Sequence, residues 1–414
     1  MKKQKTSNLY QIVLFLYFQI LVVLFESVFL FNLALIRYGI SIFIFYKIIL
    51  EVKNNKNKFL LNKNLMFYFM IWIVIMVFRG IPDLFDSYQN YITLKRFLSE
   101  ELLIYTFPLL MFINIEIEQL QKILKLNIVF GIFYLLISII FFSYFTQYTS
   151  FENLEFTLNA EALMVFFPSS LILLLLTNNY HSKRVNAINL LIILFATFIA
   201  IILARRNKVL YFGTALLFAG FLVNFGNTLL LKKNRFLNFS ITFFMIIFSL
   251  VFAGLNFSKF TFFLERTETG IESRVDVIDD FFYDFNRTPQ DWIIGRGIHG
   301  TFISKGLSLS DIDDSRDLIE NGILQLILKG GVIYISFVAC IIFISFYNGF
   351  IRSKNILSKS MALILILYLV DLLGYGLSTS TFKYMVIFIA ISVCNSPEII
   401  KLSDSEILKK IRLT

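Results

Sequence analysis

The chain is built from repeated apolar runs, each long enough to cross a bilayer. A hydrocarbon core roughly 30 Å thick takes about 20 residues of helix. No water is present there to satisfy a bare backbone, so each run must close its hydrogen bonds within itself as a helix. Strands of a membrane barrel would alternate apolar and polar residues, and these runs do not. Fifty Phe residues and an apolar share of 57% exceed what a soluble core could hide. The fold class is therefore an all-α polytopic integral membrane protein. Candidate spans lie near 9–29, 31–50, 65–82, 93–113, 124–145, 159–178, 188–204, 208–231, 237–256, 318–350, 360–376 and 379–395. That is about 12 transmembrane helices, with a range of about 10–13. The first two share one continuous apolar stretch, which a tight turn near Asn32–Gly39 must divide. The tenth is long for one crossing, so its first turns should rise above the membrane.

Charge sets the orientation. With the N-terminus in the cytoplasm, the inside segments are 1–8, 51–64, 114–125, 179–187, 232–235, 351–359 and 396–414, and they hold 21 of the 38 Lys and Arg residues. The outside loop 146–158 holds none. This is the positive-inside pattern. It accounts for the net charge of +10 without a nucleic-acid partner. The expected location is the cytoplasmic (inner) membrane, multi-pass, with both termini cytoplasmic and residues 396–414 as a short tail. The MKKQK start before a long apolar run reads as an uncleaved signal anchor. Cys340 and Cys394 both sit inside apolar runs, which argues against a disulfide, and His181 and His299 lack metal-ligand spacing. No metal and no cofactor is expected.

Residues 257–317 are the one long hydrophilic island, a large extracytoplasmic loop within a single membrane domain spanning 1–414. It holds 12 of the 28 Asp and Glu residues and 7 Lys and Arg. Within it, Val275, Ile278, Phe281, Phe282 and Phe285 follow helical spacing, with Asp276, Asp279, Asp280 and Asp284 largely elsewhere. That pattern predicts an amphipathic helix lying on the outer membrane face.

Several basic and acidic residues stand where the orientation rule disfavours them. Arg205, Arg206 and Lys208 lie between the seventh and eighth spans. They read either as cations snorkelling at a helix end or as an anion site, since the Arg fork suits phosphate. Arg274 either pairs with a neighbouring carboxylate or adds to that site. Lys95, Arg96, Glu100 and Glu101 suit pairing with one another near the interface, and Arg79 is a further ligand candidate. Gly295, Gly297 and Gly300 match GxGxxG, but no βαβ unit surrounds them. They read as a tight turn that brings backbone close to something, with His299 in a structural or a catalytic role. Glu320 and Asn321 stand at the mouth of the tenth span. Glu320 is either a general base or a helix-terminal acid favoured by the macrodipole, with Asp317 as the cap.

These segments, in this order, resemble the O-antigen polymerase and O-antigen ligase superfamily. The matching residues are Ala204-Arg205-Arg206, Ser273-Arg274, Gly295-Arg296-Gly297 through Phe302, and Glu320-Asn321-Gly322-Ile323-Leu324 through Gly331. Motifs cover roughly residues 190–350, and the rest resembles the family by span pattern only. Glu320 stands where the ligases carry a histidine, which favours a polymerase. The resemblance implies a metal-independent membrane glycosyltransferase that joins undecaprenyl-diphosphate-linked oligosaccharide repeat units into O-antigen, capsule or exopolysaccharide. It implies Glu320 and Arg274 as catalytic residues, and Arg205, Arg206 and Arg274 on the diphosphate. Tyr283, Trp292, His299 and Asn321 are candidates for sugar contact. Implied partners are the lipid-linked oligosaccharide, membrane lipid, a chain-length regulator and a flippase.

Two alternatives stand beside this one. A ligase would move finished glycan onto an acceptor. A transporter or flippase for the lipid-linked oligosaccharide would suit about twelve spans, though such proteins tend to use paired, broken helices from two repeats, and the chain shows no repeat.

Overall fold

The computed structural model describes residues 8–29, 32–54, 60–80, 94, 97–140, 169, 171–202, 206–225, 273–304, 315–319, 321–374 and 381–411; for a few helix-end residues, including 273–275, only the backbone is described. The expected span at 237–256 and most of that at 159–178 lie outside these residues.

The described chain is mostly helical. In order it forms α1 (Asn8–Phe29), α2 (Ala34–Asn54), α3 (Lys63–Gly80), α4 (Leu102–Thr106), α5 (Ile117–Ile140), α6 (Ile172–Leu176), α7 (Lys183–Ile202) and α8 (Arg206–Phe225). Then follow α9 (Ser273–Arg287), α10 (Pro289–Ile294), α11 (Gly322–Phe346), α12 (Ile356–Leu373), α13 (Phe382–Asn395) and α14 (Asp404–Ile411). Five helical stretches are long and apolar enough to cross a membrane, by length and composition: Lys63–Gly80, Ile117–Ile140, Lys183–Ala200, Gly322–Arg352 and Ile356–Leu373. The chain is thus an α-helical protein of membrane type. A two-stranded antiparallel pair, β1 (Phe302–Ile303) with β2 (Ser315–Arg316), was not legible in the residue pattern.

The apolar runs resolve into helices with local departures. The turn between α1 and α2 falls earlier than expected: α2 begins at Ala34, so Gly39 lies inside a helix. Polar side chains set that turn. Glu26 Oε1 accepts the Leu33 N–H at 2.7 Å, and Asn32 Oδ1 accepts that of Ala34 at 3.1 Å. Arg37 pairs with Glu26 at 3.0 Å. The fourth run is not one α-helix. A π-helical turn (Phe97–Glu101) leads into α4, and a 3-10 turn (Phe107–Phe112) follows. Pro108 in that turn has no N–H with which to continue an α-helical ladder. The long tenth run is one helix interrupted at Gly331, whose φ of 68° lies outside the helical range. Asn321 caps it, with its side-chain oxygen accepting the N–H groups of Ile323 and Leu324 at 3.0 and 3.1 Å. The cap is Asn321 and not Asp317, because only Asn321 stands in the extended conformation immediately before the first turn.

Every residue of α13 is buried, and α13 packs on α11, α12 and the 3-10 turn. At one end of the bundle the helices are tied by buried amides: Asn348 donates to Asn395 at 2.8 Å, and Asn395 donates to Ser345 at 2.7 Å. The C-terminal helix latches at the same end. Asp404 accepts from the Tyr180 hydroxyl and, at 2.8 Å, from the Ile356 N–H. Burial first, and then the Asp404 charge, push the Tyr180 phenol far above its ordinary range.

At the other end sits the folded part of the polar segment. The amphipathic helix forms as α9, but protein covers its apolar face. Val277, Phe281 and Phe285 pack with Phe302, Ile319, Ile327 and Leu328, the last two on α11. The apolar face expected to meet the membrane thus meets protein. Each of these large side chains gains about 1.5–3 kcal/mol from burial, and β1 with the first turns of α11 supplies that burial without lipid.

Candidate functional site

The turn after α10 is where the polar segment enters the bundle. Gly295 and Gly297 adopt φ of 66° and 85°, a region open to glycine at little cost. The turn lies against the break in α11. The Arg296 N–H donates to the Leu328 carbonyl at 2.7 Å, and the Gly297 N–H to that of Lys329 at 3.0 Å. These carbonyls are freed because the positive φ at Gly331 interrupts the helical ladder. On the other side, Ile298 N–H donates to the Met76 carbonyl at 3.2 Å, and Arg79 donates to the Gly295 carbonyl at 2.7 Å. Trp72 of α3 reaches the Gly330 carbonyl at 2.9 Å, and Lys329 reaches that of Gly300 at 3.1 Å. The close backbone approach expected of the glycine turn is found, and what it approaches is α3 and α11.

Arg296 fixes the turn to α9 and α10. Its guanidinium binds Asp284 at 2.5 Å, Asp291 at 2.7 Å and the Thr301 carbonyl at 2.7 Å, and it lies over the Phe285 ring at 4.6 Å. Burial alone would lower its pKa, but the hydrogen bonds and charges of Asp284 and Asp291 outweigh that and raise it. Arg296 is therefore a fixed cation inside the loop.

Two ionisable side chains are brought together at the mouth of the bundle. His299 Nε2 lies 3.5 Å from Glu101 Oε2, and both side chains are 9% exposed. Deeper in, Tyr334 of α11 stacks on Phe69 with ring centroids 5.6 Å apart. A second charged cluster joins three helix ends. Asp371 of α12 binds Lys383 of α13, and Lys208 of α8 lies 3.6 Å away on its other oxygen. Both ammonium groups also lie over the Tyr211 ring, at 4.8 Å for Lys383 and 5.8 Å for Lys208. Asp371 is 1% exposed, Lys208 3% and Lys383 9%. Lys383, Tyr211, Tyr368 and Ser169 line a small cavity beside this cluster. Ionisable groups buried among membrane-type helices are costly and mark places where a polar partner is handled.

The residues singled out from sequence fall in different places. Glu320 and Arg205 lie outside the described residues, and Arg206 and Arg274 are described only as backbone positions opening α8 and α9. Trp292 is half-buried, stacked on Phe282 and edge-on to Phe281 and Phe285. Tyr283 is 64% exposed and holds Arg287 through its hydroxyl at 2.6 Å. The Asn321 side-chain oxygen is engaged in capping α11. Lys95 and Arg96 lie outside the described residues, while Glu101 faces His299. Asp371, Lys383 and the role of Glu101 were missed. The first two carried a readable signal, since each is a lone charge inside an otherwise apolar run. Among the described residues, no group of His, Cys, Asp and Glu could hold a metal ion. No family model, no curated protein and no solved structure matches the chain.

Proposed function

We propose that the chain is a membrane glycosyltransferase that joins undecaprenyl-diphosphate-linked oligosaccharide repeat units into a polysaccharide. On this reading it has about 12 spans, cytoplasmic termini, and the 257–317 segment on the outer face of the cytoplasmic membrane. The reading rests on the motif order that resembles O-antigen polymerases. One structural observation carries it further: buried ionisable groups gather at the bundle end where the polar segment docks, namely His299 with Glu101 and Lys208 with Asp371 and Lys383. A donor with a lipid tail and a charged sugar-diphosphate head needs this pairing of an apolar bundle and a charged mouth. An acceptor hydroxyl attacks the anomeric carbon and lipid diphosphate leaves. Fixed cations favour the departing charge without a metal. Arg205, Arg206 and Arg274 are proposed for that role.

The interruption at Gly331 and the buried charges would also suit a transporter, which often carries broken helices. Docking of the glycine turn accounts for the interruption without transport. Deleting the gene separates the readings. A polymerase is supported if only single lipid-linked repeat units accumulate. Long lipid-linked chains that never reach an acceptor would instead mean a ligase. Labelled lipid that crosses proteoliposomes holding the protein, with no glycan extension, would mean a flippase.

A further inference from the structure

His299 and Glu101 come from parts of the chain far apart in sequence, and the backbone on both sides is shaped to bring them together. The positive φ at Gly297 turns the chain toward α3. The Ile298 N–H bond to Met76 fixes the neighbouring residue. Gly80 leaves space for Ile298 and His299 to approach, because a Cβ there would sit 2.7 Å from the Ile298 side chain and 3.1 Å from the His299 ring. From the opposite side, Glu101 closes the π-helical turn before α4. Such turns are rare and are frequent at functional sites. A carboxylate at 7% exposure costs free energy unless polar groups meet it, and the imidazole is one group that faces it, at 3.5 Å.

We infer that His299 and Glu101 are the acid–base pair of the transfer reaction, resting on the glycosyltransferase reading above. His299 takes the proton of the acceptor sugar hydroxyl, and Glu101 holds the ring and stabilises the imidazolium, as a carboxylate behind a catalytic histidine does. The acceptor oxygen forms its bond to the anomeric carbon with its own electron pair. The O–H proton passes to the imidazole. The anomeric C–O bond to the diphosphate breaks, and its electron pair leaves with undecaprenyl diphosphate. The imidazolium then returns its proton to water. His299 is the catalytic residue, Glu101 a positioning residue, and the base role moves from Glu320 to this pair.

The test uses full-length protein in nanodiscs. The substrate is the lipid extract of cells lacking the gene, and the readout is the rate of glycan extension on a gel. General base catalysis contributes about 10²–10⁴-fold, so H299Q should slow extension at least ~100-fold at saturating extract. E101Q should slow it by a comparable factor, while E101D retains most of the rate. Extension by H299Q at the wild-type rate would overturn the assignment and leave the polymerase reading intact. Restoration of H299Q by more extract would also overturn it, since that marks sugar binding alone. If H299Q fails to fold, the contrast between E101Q and E101D decides, and equal rates for the two would overturn it. If wild type extends nothing while binding the extract, the polymerase reading itself falls.

Discussion

Gly295 and Gly331 meet backbone to backbone, each with positive φ, 66° and 68°. A Cβ on Gly295 would lie 2.6 Å from the Gly331 nitrogen, and one on Gly331 would strike the Ile293 carbonyl. Docking of the polar segment therefore depends on two absent side chains. Gly331→Ala and Gly295→Ala should each lower stability by at least about 1–3 kcal/mol, from left-handed strain plus the clash. They should also release the turn. Limited proteolysis of nanodisc samples checks this, with faster cleavage within 257–317 in both variants. Equal cleavage in wild type and variants would show that the crossing does not hold the segment.

Arg296 is the clamp that joins the turn to Asp284 and Asp291. Arg296→Lys keeps the charge but loses the planar fork that serves both carboxylates and the Thr301 carbonyl. Because Arg296 is 20% exposed, a loss of about 1–3 kcal/mol is expected, below that of a fully buried pair. Asp284→Asn in the Arg296→Lys background should add little, since the two residues share one network. Thermal unfolding of the four proteins of this cycle measures the coupling, and full additivity would dissolve the clamp.

What was readable in the sequence follows from the range of each force. The five long apolar helices were, because the length of an apolar run answers to bilayer thickness. The 3.6-residue periodicity of α9 was readable in part: of the expected face, Phe281 and Phe285 are buried and Ile278 packs beside them, while Phe282 is 40% exposed and Val277 takes a place on the buried face. What covers that face was not, because lipid and the side chains of Ile327 and Leu328 are equally apolar. The glycine turn betrayed that backbone approaches something, but the partner at Gly330 and Gly331 is set by tertiary packing. Glu101 stood beside Lys95, Arg96 and Glu100 and so looked like one member of a local charge group, and nothing in that run showed that His299 also faces it in the fold.

Asp371 holds two lysines. Asp371→Asn would leave the ammonium groups of Lys383 and Lys208 close together, among apolar helices, without this carboxylate. Breaking a buried pair from one side costs about 3–5 kcal/mol. The expected result is a sharp fall in folded yield in detergent. Joint replacement, Asp371→Leu with Lys383→Met, removes one charge of each sign, leaves only Lys208, and should recover part of that loss. Failure of the double variant to exceed Asp371→Asn would mean that the cluster is not a compensating pair.

His181 supplies the pH dependence that can be followed without substrate. It lies between α6 and α7, its Nε2 meets the Thr177 hydroxyl at 2.9 Å, and its Nδ1 is buried with no hydrogen-bond partner among the described residues. Burial lowers its pKa from 6.5 to about 4. The folded state therefore favours the neutral ring, and the unfolded chain takes up a proton first as pH falls. The contribution is fully present above pH 6.5 and is lost progressively as pH falls to about 4. It amounts to at most about 3 kcal/mol, and less where water reaches the ring. His181→Gln keeps a polar partner for Thr177 but cannot titrate. Melting temperatures of wild type should drop across that pH window relative to the variant, and the two should run parallel above it. A gap that stays constant from pH 7 to 4 would show that His181 is not held neutral by the fold.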